Sequence, residues 1–220
     1  MKEKVNTVPL VIGFGKGRGL TESFSQFNFT GDKIVNSFLD PKSMYVHNKP
    51  HNIKLVKARH SDLNWMLAQG HINVAIGSSV WFVNSSNSFK EIPFGTKQAM
   101  KCRLSLISKK ALKLSDIKTV ATKFPDLAKT YFLKKAPHVT IKYMNGCHEN
   151  ALMLGFADAI IDIIETGNTI KRMNLVELDT LMEVSHKIYI PKNQDFTNKI
   201  SKRLHEFLQK NYQEEQLLFP

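Results

Sequence analysis

The chain has 220 residues, 42% of them hydrophobic and 23% charged, which suits one or two small domains with a real core and argues against a disordered chain. Its two cysteines, Cys102 and Cys147, cannot build a disulfide framework, and the lack of a CxxC pair argues against structural zinc. A formal charge of +12 favours anionic partners, yet no zinc-finger, RNP-like or basic-helix pattern accompanies it.

The first apolar run is soon broken by glycine and lysine, a poor signal peptide and no membrane span, so a reducing cytoplasm is the expected compartment. Pro9 to Phe14 predicts a buried strand, followed by the glycine-rich turn Gly13–Gly19. That turn is not a Walker A loop, because no Ser or Thr follows Lys16, and it is not a dinucleotide fingerprint. Ile53 to Lys57 alternates as a strand. Ser61 is expected to cap a helix carrying Leu63, Met66 and Leu67, which Gly70 stops. Ile72, Val74 and Ile76 alternate again.

After a connector near Pro93–Gly95 the same grammar repeats. A strand is expected over Ile117–Lys123, then a helix with Pro125 at N1 and Asp126 in its first turn. Val139, Ile141 and Tyr143 form the next strand, Glu149 to Leu154 a short helix, and Ala159 to Ile164 the most apolar strand. Lys187 to Ile190 reads as a further strand. From Asp195 onward, Phe196, Ile200, Leu204 and Phe207 recur at helical spacing. Such alternation implies an α/β fold with a mainly parallel sheet.

Charge is uneven along the chain. Lys97 to Asn145 holds twelve Lys or Arg against two Asp, whereas Gly146 to Glu183 holds seven Asp or Glu against two basic residues. Within the acidic stretch, Glu165-Thr166-Gly167-Asn168-Thr169 comes directly after the apolar strand and opens a helix. Gly167 allows close backbone approach, and successive N–H groups with the helix N-terminus would cradle a phosphate, with Thr166 and Thr169 adding hydroxyls. A plain helix start after a left-handed glycine is the other reading of the same residues. Asp158 and Asp162, four apart on one strand face, suit sugar hydroxyls or a bound Mg²⁺ better than phosphate itself.

The run Val120 to Leu127, then Tyr131-Phe132, Asn145-Gly146, Glu149 and finally Ala151 to Leu178, resembles the ATP phosphoribosyltransferase family. Weaker likenesses lie at Lys16-Gly17-Arg18, Arg59 to Leu63, Phe94-Gly95, Cys102 to Leu104 and Ser185 to Ile190. The resemblance implies two α/β domains of the periplasmic-binding-protein type II kind with an interdomain cleft. Domain I would be 1–95 plus 185–220, and domain II 96–184, carrying the phosphoribosyl pyrophosphate loop. It implies that Glu165 to Thr169 hold the 5-phosphate, with Asp162 and Asp158 near the ribose. Lys16, Arg18, Arg59 and Arg103 would meet ATP and pyrophosphate, with Mg²⁺ as cofactor. Glu149 and Asp162 are candidates for a general base, between which the sequence does not decide.

Too few residues lie beyond Pro191 for an autonomous domain, so the chain looks like the family's short form. That form implies a histidyl-tRNA-synthetase-like regulatory subunit in a hetero-oligomer built on homodimers, with neither nucleic acid nor membrane as partner. Several positions depart from the family pattern. Gly15 stands where proline is usual, Asn73 and Ser79 where acidic residues are usual, and His148 where an aliphatic is usual. Cys147 and His148 are read as a helix start rather than a nucleophile or metal site. The competing functions are a catalytically impaired relative, a small-molecule-binding clam-type protein without catalysis, and a nucleic-acid binder driven by net charge.

Overall fold

The computed structural model describes residues 8–17, 37–49, 52–85, 87–93 and 102–192. The chain divides into two compact units, Met1–Ala99 with His186–Pro220, and Met100–Ser185. No helix among the described residues is long and apolar enough to cross a membrane.

The first unit is built on a six-stranded sheet. Its strands are β1 (Leu10–Gly15), β2 (Tyr45–Asn48), β3 (Ile53–Ala58), β4 (Val74–Ser78), β5 (Phe89–Pro93) and β11 (His186–Pro191), in the order β2-β3-β1-β4-β11-β5. β1 runs parallel to both β3 and β4, whereas β2, β11 and β5 join antiparallel. Period-two alternation sorts the side chains. Leu10, Ile12, Phe14, Leu55, Ile76 and Ile188 pack on one face. Ala75 and Tyr189 meet Leu63 and Leu67 of helix α1 (His60–Ala68) on the other. Leu63 and Leu67 are one helical turn apart, which places both on the buried stripe.

Gly70 ends α1 in the left-handed conformation at φ 72°, as its position in the sequence suggested. Ser61 does not cap the helix. Arg59 holds the N-cap position, and the Ser61 hydroxyl donates to Asp62 Oδ1. Asn73 sits at the foot of β4. Its side-chain oxygen accepts the Val11 N–H at 2.7 Å, and its main-chain N–H donates to the Val11 carbonyl, so a neutral amide clamps this end of β1 to β4.

The second unit has a five-stranded sheet in the order β10-β6-β9-β7-β8. The strands are β6 (Cys102–Ser108), β7 (Thr119–Thr122), β8 (Thr140–Tyr143), β9 (Ala159–Ile164) and β10 (Val176–Val184). β7 is parallel to β8 and β9, while β6 is antiparallel to β9 and β10 to β6. Both sheets are therefore mixed rather than mainly parallel, because strands without a helical crossover return beside their neighbours. The sequence did not predict β2, β5, β6 or β10, and the short or irregular ones among them offer little pattern to read. β10, for example, carries register shifts at Glu177/Asp179 and Thr180/Met182.

Helix α2 (Pro125–Lys135) starts with Pro125 in its first turn, as expected, and covers the face on which Tyr131 and Lys135 reach Asp179. Helix α3 (Glu149–Met153) covers the opposite face, where Ala151 and Leu152 meet Ile107, Ala121 and Ile160. The chain leaving β7 thus runs over one face, and the chain leaving β9 packs Ile170 and Met173 on the other. In an open α/β sheet that divergence leaves a crevice at the carboxyl ends of the strands. The expected helix from Asp195 and the residues Arg18, Phe94 and Gly95 lie outside the described residues.

Gly15 has a structural reason. A Cβ there would lie 2.0 Å from the His60 imidazole, which occupies the space beside β1. His60 Nδ1 accepts the Ser78 main-chain N–H at 3.1 Å, so a displaced ring would orphan a half-buried donor. Gly15→Ala is expected to cost about 1–3 kcal/mol in urea denaturation, with most of that penalty gone in a His60→Ala background.

Candidate functional site

β9 ends at Ile164, and the chain then turns through Glu165, Thr166 and Gly167 into the short helix α4 (Asn168–Arg172). Gly167 adopts φ 73°, a left-handed conformation that costs a side-chain-bearing residue energy and lets the backbone turn there. Glu165, Thr166 and Asn168 are exposed, while Gly167 and Thr169 are half-buried. The Asn168 N–H points at Thr166 Oγ1 at a long 3.4 Å. Amides in a first helical turn have no preceding turn to accept them, so this loop presents main-chain donors at the carboxyl end of the central strand.

Asp162 lies three residues before that loop on β9 and is the centre of a charge network. Its Oδ2 accepts from His148 Nδ1 at 2.7 Å. Its Oδ1 accepts the Ile163 N–H at 2.8 Å and lies 3.3 Å from Lys123 Nζ. His148 is fully buried, and its Nε2 lies 3.0 Å from the Met144 carbonyl. Both ring nitrogens therefore face acceptors, which only an imidazolium can satisfy. Burial works against that charge, but the Asp162 carboxylate and the Met144 carbonyl outweigh it and raise the His148 pKa above its ordinary 6.5. Burial alone would raise the Asp162 pKa. His148 and Lys123 overcome it and hold the carboxyl below its ordinary value. A carboxylate so held is a weak base, which leaves Glu149, half-buried in the first turn of α3, as the other candidate.

The structure separates two other residues from this site. Asp158 stands at the opposite end of β9, about 20 Å along the strand from the loop. Its Oδ2 accepts the Lys118 and Thr119 N–H groups, each at 2.9 Å, so it ties β9 to the start of β7 rather than facing a ribose. Arg103 forms a bidentate pair with Glu177, both contacts at 2.6 Å, and Ser105 Oγ donates to the same carboxylate. Its guanidinium is held by that pair across the sheet, with 40% of the side chain exposed. Lys16 and Arg59 come just after β1 and β3 at the carboxyl ends of those strands in the first unit, and both are exposed.

Sequence reasoning missed Lys123 and His148. Lys123 comes immediately after the last residue of β7, a position next to β9 that only strand order reveals. Cys147 takes a left-handed φ of 52°, and the turn it makes directs His148 inward. Among the described residues no three His, Cys, Asp or Glu side chains cluster as metal ligands. With Asp162 already between two cations, the residues present do not fit a protein-held Mg²⁺.

Two α/β units with mixed sheets, and a polar loop at a strand's carboxyl end, define the class of the protein. The same fold occurs in the substrate binding protein of an amino acid ABC transporter, with a TM-score of 0.53 at 17% identity over 91% of this chain and 93% of that one. The likeness is greater to the ATP phosphoribosyl transferase (HisG:HisZ) complex from Thermotoga maritima, with a TM-score of 0.69 at 23% identity over 91% of this chain and 99% of that one. The HisG family model, ATP phosphoribosyltransferase, matches residues 59–210. An ATP phosphoribosyltransferase of Clostridium botulinum (strain Okra / Type B1) is 30% identical over 69% of this chain and 72% of its own. That of Geobacillus sp. (strain WCH70) is 26% identical over 82% and 87%. The chain belongs to the ATP phosphoribosyltransferase family.

The Arg103–Glu177 pair has a pH signature. Hydrogen bonds from Arg103, opposed by burial and joined by those from Ser105 and Thr180, lower the Glu177 pKa from 4.5 to about 2. A depressed carboxyl pKa adds stability above the unfolded value and loses it as pH falls towards the folded one. Urea midpoints of the wild type should therefore fall more steeply from pH 4.5 to 2 than those of Glu177→Gln.

Proposed function

We propose that this chain transfers the phosphoribosyl group of phosphoribosyl pyrophosphate to N1 of ATP, releasing pyrophosphate, the first step of histidine biosynthesis. The observation that carries this reading is the Glu165–Thr169 loop, turned by a left-handed Gly167 at the end of β9, in a chain that the family model matches over residues 59–210.

The 5-phosphate of the donor is assigned to the main-chain N–H groups of the loop and to the hydroxyls of Thr166 and Thr169. Asp162 takes the ribose hydroxyls, and Lys123 adds positive charge beside it. Lys16, Arg18 and Arg59 are assigned to the polyphosphate groups. Adenine N1 attacks C1 of the donor. The N1–C1 bond forms as the C1–oxygen bond breaks, and the oxygen's electron pair leaves with pyrophosphate. Positive charge on the sugar and negative charge on the leaving group grow together, so aligned reactants and cationic side chains lower the barrier. The product gives up a proton from the adenine amino group, for which Glu149 is the remaining candidate carboxylate. Mg²⁺ arrives with the substrates' phosphates on this reading.

The likeness to the Thermotoga maritima HisG:HisZ complex supports a HisZ-like subunit as partner. That this subunit is regulatory and that the hetero-oligomer is built on homodimers are part of the proposal. A cytoplasmic location fits a biosynthetic transferase whose two cysteines form no disulfide. The departure at Asn73 does not favour an impaired relative, since that amide bridges β1 and β4 far from the strands' carboxyl ends.

Replacing both Thr166 and Thr169 by valine should weaken phosphoribosyl pyrophosphate binding roughly ten- to a hundred-fold, for a loss of about 1.5–3 kcal/mol in charge-assisted hydrogen bonding. Calorimetric titration reads this directly, and an unchanged dissociation constant would remove the loop assignment. Product formation from ATP and phosphoribosyl pyrophosphate, with and without a HisZ-like subunit, tests the activity itself.

A further inference from the structure

A carboxylate near a phosphate loop repels the very ligand the loop attracts, unless something offsets its charge. Asp162 lies about 10 Å along β9 from Glu165, and its side chain is only 22% exposed, so its field is poorly screened. Two cations answer it from different elements. His148 enters from the turn before α3 and takes Oδ2. Lys123 enters from the end of β7 and stands 3.3 Å from Oδ1, its ammonium 5.2 Å from the centre of the Phe124 ring. With His148 as an imidazolium, the three side chains together carry one net positive charge near the carboxyl ends of the paired strands β7 and β9. A quarter of the Lys123 side chain remains exposed, whereas that of His148 is sealed at 1%.

The effect of this division of labour is clear from supposing an aliphatic at position 148. With an aliphatic there, Lys123 alone would have to neutralise Asp162. With His148 present, the carboxylate is fixed in one rotamer by a buried partner, and the Lys123 ammonium is left to face an anion.

We propose that His148 is a positioning residue of the phosphoribosyl site, an imidazolium that orients Asp162 and offsets its charge so that Lys123 can serve the bound phosphate ester. The inference rests on the transferase reading above and adds to it a residue that the family likeness does not predict. The charged groups acting on the ring are Asp162 from β9 and Lys123 from the end of β7.

The test compares binding of phosphoribosyl pyrophosphate and of ATP to the full chain by calorimetry. His148→Gln, which keeps a hydrogen-bonding side chain of similar size, is expected to raise the phosphoribosyl pyrophosphate dissociation constant about tenfold and leave that of ATP within about twofold, in line with usual coupling energies between contacting groups. In an Asp162→Asn background the same substitution should add less than about twofold, since there is no carboxylate left to orient. Two results overturn the proposal: a His148→Gln dissociation constant within about twofold of wild type, or an equal effect in the Asp162→Asn background. The wild type offers a readout that needs no variant. ¹⁵N spectra should find both His148 ring nitrogens protonated at pH 7, and a neutral ring there overturns the proposal even if the variants fail to fold. A wild type that does not bind phosphoribosyl pyrophosphate at all would instead bring down the transferase reading itself.

Discussion

The second unit depends on one buried strand. β9 is hydrogen-bonded on both edges, to β6 and to β7, and Ala159, Ile160 and Ile161 are at most 1% exposed. A strand so enclosed cannot slip by one residue without turning its apolar set towards polar surroundings. Its carboxyl end is therefore a fixed point, and the chain leaving it is presented in a defined place. Gly167 then makes a left-handed turn that ends the strand direction and opens a helix within three residues. The loop's capacity to offer main-chain donors comes from this rigid strand and this permissive residue together.

Electrostatics explains how the charge of an acidic stretch is offset locally. Four acidic side chains of the second unit are each matched to specific donors. Asp158 takes two main-chain amides, Asp162 takes His148 and Lys123, Glu177 takes Arg103, and Asp179 takes Tyr131 and Lys135. The pairs differ in what they do. Arg103–Glu177 and Lys135–Asp179 fasten β10, a strand with irregular register, to β6 and α2. Surface pairs of this kind contribute little individually, but the bidentate geometry of Arg103 makes its contact directional. The Asp162 network is mostly buried and precedes the loop on β9, so on the proposed reading its charge balance bears on ligand binding more than on strand pairing.

The first unit illustrates a different constraint. β1 carries glycine at 13 and 15 on the side facing α1, and in both places a Cβ would collide with a neighbour, Ile72 at 2.6 Å and His60 at 2.0 Å. The helix can approach the sheet closely only because those side chains are missing. His60 then fills the freed space and closes its hydrogen bond with the Ser78 amide. An unusual glycine at the end of a strand thus reflects packing of a neighbouring imidazole.

Much of this was legible in the residues. Periodicity and punctuation located β1, β3, α1, α2, α3 and β9 to within a residue or two, because apolar spacing, Pro125 and Gly70 act locally. The loop Glu165–Thr169 was also legible, since strand, glycine and hydroxyls are contiguous. The residues that complete the site were not. Asp158 and Asp162 lie four residues apart in the sequence, yet only the sheet order gives each its partners. Arg103 looked free until β10 brought Glu177 across from a position 74 residues away. His148 and Lys123 meet Asp162 from two other elements, over separations of 14 and 39 residues that no local pattern records. Local chemistry is written in neighbouring residues, whereas charge pairing is decided by which strands lie side by side, and that only the folded sheet determines.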